Sequence, residues 1–284
     1  MMKETNNIKS TPQFERFSRL DRILHALMIV SFLSLALTGM TLKFSYTGWA
    51  SFLSKMLGGY ESAGSIHRFA AVIMFGVFVA HLIHLGKVRR KKYSSWKDMI
   101  FGENSMLPNK KDWHELVASI KWFLGKGERP KYGRYTYWEK FDYLAVFWGM
   151  VVIGSTGLIL WFPEFFTLVL PGWFINVATI IHSDEALLAT GFIFTIHFFN
   201  THLRPEKFPM DLVIFTGRMP VEELKHDKPA EYEELVKNGE LEEYLVEPYQ
   251  PIVIHTIKIF AWTALGIGFA MILWIIYAMI FAYR

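Results

Sequence analysis

Apolar residues gather into five blocks along the chain, at 23–42, 67–85, 141–162, 180–203 and 251–283, with polar stretches between them. Each block is close to the roughly 20 residues that a helix needs to cross a hydrocarbon core about 30 Å thick. The first block carries no acid, lysine or arginine. It is longer than the apolar part of a signal peptide and has no small-residue cleavage site, so it is expected to be a retained span. None of the blocks has a proline in its interior. The pattern predicts an all-α integral membrane protein. Residues 1–203 form a four-helix transmembrane bundle, 204–250 an acidic connection, and 251–284 a fifth C-terminal transmembrane helix.

Composition strengthens this reading. Hydrophobic residues make up 52% of the 284 positions and charged residues only 20%, less charge than a soluble domain of this size carries. Cysteine is absent, which excludes thiolate-held iron–sulfur clusters, covalently attached haem, Cys-ligated zinc and disulfides. Any redox centre must be held by histidine or be a bound organic cofactor. Lysine and arginine then orient the spans. Residues 86–140 hold fourteen of them against six acids, 43–66 hold only Lys43 and Lys55, and 163–181 hold none. The N-terminal tail adds Lys3, Lys9, Arg16, Arg19 and Arg22. The expected protein is multi-pass in a bacterial cytoplasmic (inner) membrane, with its N-terminus and second connection cytoplasmic. The 204–250 connection, with twelve acids and six bases, falls on the same side and reads as polar, partly helical protein standing on the membrane. The two outer connections are aromatic, with Trp49, Phe52 and Tyr60 in one and Phe165, Phe166, Trp173 and Phe174 in the other. Such segments lie at the bilayer surface or receive a partner.

A polar ionisable side chain within a span is costly and marks function by default. Ten histidines occur, and His25, His67, His81, His84, His182, His197 and His255 lie in or at the ends of blocks. A neutral imidazole in a dry bundle is an axial ligand for b-type haem. By depth, His25 and His197 form an inner pair, and His67 and His182 an outer pair. His182 and His197 are fifteen residues apart, which on an α-helix is about 22 Å of rise and about 60° of rotation. One helix can therefore offer a ligand to each of two stacked haems. A second arrangement pairs His67 with His182 and His81 with His197, leaving His25 free, because His81 follows His67 by fourteen residues on nearly the same face. A lone membrane histidine is as often a hydrogen-bonding bridge between helices. A bare metal site would need three or four ligands at one depth, and these occupy two.

These residues resemble the cytochrome b membrane subunits of formate dehydrogenases and nickel–iron hydrogenases. LDRILHALMIVSFLSLALTGM is similar to that family's opening Asp-Arg…His…Leu-x-Gly pattern, with His25 at the ligand position. GSIHRFAAV is similar to its second ligand segment at His67, and IIHSDEALLATGFIFTIHFFNTHL to the helix that gives one ligand to each haem, at His182 and His197. FPMDLVIFTGRMPVEELKHDKPAEYEELV is similar to the cytoplasmic tail. The likeness covers residues 14–236. It implies two b-type haems and a quinone site, for menaquinone or ubiquinone, beside the inner haem. GRYTYWEKFDY matches the quinone-proximal stretch loosely and nominates Tyr135, Thr136 and Glu139, with His197 at the haem edge. A segment rich in Tyr, Trp and Lys is equally an interfacial anchor. Arg19 and Arg22 are placed to meet haem propionates or to anchor the first span.

Three features depart from the family pattern. The His182–His197 spacing is one residue longer, His81 is an extra candidate, and the fifth span has no counterpart in the four-helix core. The expected function is an electron-transfer, quinone-reactive subunit of a larger respiratory oxidoreductase complex. Its partners are membrane lipid, quinone, and a redox subunit that is an iron–sulfur protein or a multihaem cytochrome c. No nucleic-acid partner is expected. The rival readings are a proton-coupled transporter, which calls for polar residues at the midplane and broken helices, and a haem-free membrane anchor, which has no use for depth-matched histidines.

Overall fold

The computed structural model describes residues 12–102 and 104–282; Lys3, Lys9 and Tyr283 lie outside the described residues. Chain order runs β1 (Gln13–Glu15), α1 (Arg19–Lys43), α2 (Gly48–Met56), α3 (Tyr60–Lys92), α4 (Trp96–Phe101), α5 (Lys110–Phe123), α6 (Tyr137–Trp161) and α7 (Pro163–Phe166). There follow α8 (Trp173–Phe192), continued by π-helical turns at Ile193–His197 and Phe199–Leu203, then α9 (Val213–Thr216), β2 (Arg218–Pro220), α10 (Val221–Asp227), α11 (Pro229–Asn238), β3 (Leu245–Val246) and α12 (Pro251–Phe281).

Five of these helices, α1, α3, α6, α8 with its π-helical continuation, and α12, are long and apolar enough to cross a membrane. Large apolar side chains along them face outward, among them Phe69, Trp148, Leu188 and Ile280. In water such surfaces would be an aggregation liability; in a bilayer they meet lipid. The protein is an all-α, multi-pass membrane protein.

Local sequence sets the helix starts. Ser18 caps α1 by accepting from the amide of Asp21, whose carboxylate accepts from the Ser18 amide in return. Thr136 and Glu139 do the same for α6. Each such reciprocal cap satisfies two otherwise unpaired amides. The helices α3 and α8 both begin seven residues before their apolar blocks. Hydropathy marks where lipid begins, whereas Tyr60–Ser65 is polar yet still competent to form helix. His67 and His182 therefore lie about two turns inside their helices, deeper than the block boundaries suggest.

The packing creates a gap. Helix α1 runs closely along α3, and α6 along α8, while the two pairs meet more sparsely, chiefly where α1 touches α8 and its continuation through Lys43–Asp184 and Phe32–Phe194. The fifth helix, α12, packs outside the bundle on α1 and on the π-helical part of α8. Leu265, Met271, Ile275 and Ala278 bury against Ala36, Met40, Phe44, Phe194 and Phe198 there, and Trp274 stacks on Trp49 with ring centres 5.5 Å apart.

At the inner end sits a small cap. The N-terminal β1 lies between β2 and β3, antiparallel to both, with Phe14 opposite Met219 on one side and Leu245 on the other. Phe14 is fully buried with Val213, Met219 and Leu224. These strands are too short for a periodic signal and were not foreseen. They tie the chain's beginning to the 204–250 connection.

Candidate functional site

The gap between the helix pairs is one cleft of about 1230 Å³, and His25, His67, His182, His197 and His202 all line it. Ligand pockets usually hold about 300–1,000 Å³, so this cleft is larger than an ordinary one. Helix α1 supplies His25, α3 supplies His67, and α8 with its continuation supplies the other three. Each predicted pair therefore faces across the gap rather than along a packed seam.

The outer pair is the better defined. The rings of His67 and His182 have centres 6.2 Å apart at 74° to each other. A metal–imidazole bond is about 2 Å, and an imidazole nitrogen is about 1.1 Å from its ring centre. Two rings sharing one iron would then have centres roughly 6 Å apart, as found.

Hydrogen bonds fix which nitrogen remains free. The carbonyl of Ile153, 3.0 Å from His182 Nδ1, can only accept, so Nδ1 carries the proton. Thr38 gives its own proton to the Ser34 carbonyl at 2.6 Å, so at 2.9 Å its oxygen accepts from His67 Nδ1. In both rings the bare Nε2 is left for a metal, the arrangement in which protein imidazoles ligate. Small residues clear the space. A Cβ on Gly39 would stand 3.3 Å from the His67 ring, and one on Gly157 would stand 3.0 Å from the His182 ring. Gly39 is the glycine of the Leu-x-Gly pattern.

At the inner end, His197 Nδ1 donates to Asp142 Oδ2 at 3.0 Å, again leaving Nε2 bare. His25 has His197 and His202 as its electrostatic neighbours. Its ring stands edge-on to Phe215, on which His202 stacks. His81 is absent from the lining of the cleft, and its Nε2 is engaged by the Tyr143 hydroxyl at 2.9 Å. Of the two candidates His25 and His81, only His25 faces the cleft. His84 pairs with Asp21 at 3.3 Å, and His255 is exposed on α12.

The extra residue in the His182–His197 spacing has a structural cause. From Ile193 onward the helix makes π turns, with the Phe198 amide bonded five residues back to Ile193 and the Arg204 amide to Phe199. A π turn takes up one additional residue, and such turns recur at functional sites. The longer sequence spacing thus keeps nearly the register of the shorter family pattern.

Three buried polar atoms at the inner end have no hydrogen-bond partner among the described residues: Asp142 Oδ1, His202 Nδ1 and Arg204 Nε. All three residues line the cleft. Buried polar groups are rarely left unsatisfied, so this end fits a guest that both donates and accepts: a haem carboxylate would suit Arg204 Nε, whereas Asp142 Oδ1 calls for a donor. Arg16, Lys207 and Lys228 line the same end, and Lys43 and Arg68 the outer end. Arg19 is exposed, and Arg22 donates to the Thr216 carbonyl and the Tyr249 hydroxyl within the cap.

Thr136 and Glu139 reach the cleft; Tyr135 does not. The Thr136 hydroxyl is engaged by the helix cap, and Glu139 by that cap and by Lys228 at 2.6 Å. Asp142 and Thr38 were not singled out from the sequence. His202, at the inner end of the fourth span, reads there, like His84 and His255, as interfacial packing or proton traffic rather than as part of the site, yet it lines the cleft. Asp142 did carry a signal, as the one acid in the 141–162 block.

Comparison with known proteins gives the family. The family model described as prokaryotic cytochrome b561 matches residues 16–203. Among curated proteins, the F420 non-reducing hydrogenase II cytochrome subunit of Methanosarcina mazei is 27% identical over 240 residues, covering 76% of this chain and 79% of that protein. The family match ends at Leu203, so α12 lies beyond it.

Proposed function

The chain belongs to the prokaryotic cytochrome b561 family, a membrane cytochrome b of electron transfer, and we propose that it is a dihaem subunit linking a redox partner to the quinone pool. The observation that carries the reading is the set of four histidines facing one cleft, three of them with Nδ1 held by an acceptor. His67 and His182 would hold an outer b-type haem, and His25 and His197 an inner one. When bound, each haem supplies a one-electron iron couple whose potential responds to ligands, hydrogen bonds and burial.

The protein's own groups orient and insulate. Thr38, Ile153 and Asp142 fix ring tautomers. Arg68 at the outer end and Arg204, whose Nε has no partner among the described residues, at the inner end offer cations to haem carboxylates, while Arg16 is held by Glu231, Lys228 by Glu139 and Lys43 by Asp184. The quinone, menaquinone or ubiquinone, would dock at the inner end, where Thr136 and Glu139 border the cleft and the unpartnered atoms of Asp142 and His202 await donors and acceptors. The relative from Methanosarcina mazei is named as a hydrogenase cytochrome subunit. By analogy this chain serves a larger complex, its partner an iron–sulfur protein or a multihaem cytochrome c at the outer face. Lysine and arginine counts favour a cytoplasmic N-terminus, and the membrane is taken as the cytoplasmic one, where prokaryotic quinone pools lie.

The test is a reduced-minus-oxidised spectrum and a haem count on the purified full chain. Two b-type haems per chain are expected, falling to one in His25→Ala and to one in His67→Ala. Absence of b-type bands would end the proposal, and retention of both haems in His25→Ala would overturn the inner assignment.

A further inference from the structure

Helix α5 is turned inside out for a soluble element. Its buried residues are Asp112, Glu115 and Ser119, while Trp113, Ile120 and Phe123 point away from the protein, Phe123 with 76% of its surface free. At 100° per residue, Trp113, Ile120 and the adjoining Leu124 fall within about 40° of one another, with Phe123 beside them, and Lys110 and Lys121 flank the stripe on its other side. The helix is therefore amphipathic with its polar face packed inward. Such a helix needs something apolar outside.

Two contacts fix where it lies. Asp112 pairs with Lys140 at 2.9 Å, both side chains almost wholly buried, and Lys140 directly precedes the apolar block that begins at residue 141. At the other end Ser119 bonds the Tyr132 hydroxyl at 2.7 Å. The axis of α5 is thus pinned at the level where the third span enters lipid. Nearby α4 adds Trp96 and Phe101 as exposed aromatic rings, and the connection that carries both helices holds fourteen bases against six acids.

We propose that α5 is an in-plane membrane helix that seats its Trp113/Ile120/Phe123 stripe in the headgroup layer and holds anionic phospholipid through its flanking lysines. An apolar face with a basic border is the pattern that binds such surfaces. The charge excess favours an anionic bilayer over a soluble protein partner, since the same chain already anchors the helix beside its own spans. The inference depends on the membrane fold alone and stands apart from haem content.

The cysteine-free sequence makes the test direct. Nitroxide labels are placed singly at Trp113→Cys, Ile120→Cys and Lys121→Cys in the full-length protein, in nanodiscs of phosphatidylcholine with or without phosphatidylglycerol. An unchanged far-ultraviolet circular dichroism spectrum and oligomer size confirm that each labelled protein is folded. With the anionic lipid, labels at 113 and 120 should collide more with oxygen than with a water-soluble nickel chelate, and the label at 121 the reverse. Removing the anionic lipid, or making Lys110→Gln and Lys121→Gln together, should lower the oxygen preference at 113 and 120. Nickel access at 113 and 120 in anionic nanodiscs would overturn the proposal and indicate a face awaiting a protein. Identical behaviour in both lipids would overturn the anionic part.

Discussion

At the scale of single residues, the proposed ligands were legible and the groups that orient them were not. Histidine in an apolar block stands out because it is costly there, so His25, His67, His182 and His197 could be named from sequence. Thr38 could not, because threonine is common in spans, and only the fold brings it to His67 Nδ1. Thr136 and Glu139 show the opposite case. Their spacing is that of a helix-capping pair, and the structure uses it as one, so part of the polarity that suggests quinone chemistry is spent on starting α6. The supports are testable. Loss of a group that orients a metal ligand typically costs 10–100-fold in affinity. Thr38→Val should loosen the proposed outer haem and Asp142→Leu the inner one by about that factor, read as haem loss to apomyoglobin with time. If each substitution released both haems equally, the paired assignment would be wrong.

At the scale of elements, the five spans follow from hydropathy alone, yet helix type does not. Nothing in FIFTIHFFNTHL distinguishes π turns from α turns; the one trace was a histidine spacing longer by a residue. The turns also need a neighbour, and α12 supplies it. A Cβ on Gly268 would come within 2.6 Å of the Phe198 ring and 2.8 Å of Phe194. Phe198 in turn borders both His197 and His202, at 6.5 and 6.2 Å between ring centres. The fifth helix, beyond the reach of the family match, thus buttresses the segment that places the inner histidines. Overpacking a tight site costs typically 1–3 kcal/mol. Gly268→Val should therefore lower thermal stability and shift the midpoint potential of the proposed inner haem, leaving the outer one unchanged. A redox titration of the variant that shows two unmoved midpoints would remove α12 from this role.

At the scale of the whole molecule, the cap joins segments that no sequence pattern connects, since three strands of two or three residues have no periodicity to detect. Charge holds this cap together with its small apolar core. Lys207, almost buried, reaches Asp227 at 2.8 Å and Asp211 at 3.2 Å, and also pairs with Glu223. Burial works against the charge on Lys207, but the surrounding carboxylates outweigh it and raise its pKa above 10.5. Burial likewise works against ionised Asp227, and the bond from Lys207 outweighs it, holding the carboxyl below its usual 3.8. The signs of the two shifts set a window. A depressed carboxyl contributes stability that is complete above its unfolded pKa and is lost as pH falls through the folded one. A raised amine contributes stability that is complete below its unfolded pKa and is lost as pH rises through the folded one. The cap should therefore hold from about pH 4 to about pH 10, and open below that range ahead of the spans, whose contacts are mostly uncharged. Amide hydrogen exchange followed against pH should show residues 204–250 losing protection first in acid. Lys207→Met takes the cation from Asp211 and Glu223 and leaves Asp227 with Arg129 at 3.6 Å. With the acids partly exposed the cost falls below the roughly 3–5 kcal/mol of a broken buried pair, and this variant should lower protection of the same residues at neutral pH. Protection in Lys207→Met equal to that of the parent would mean that Phe14 and its apolar neighbours alone keep the cleft's inner end closed.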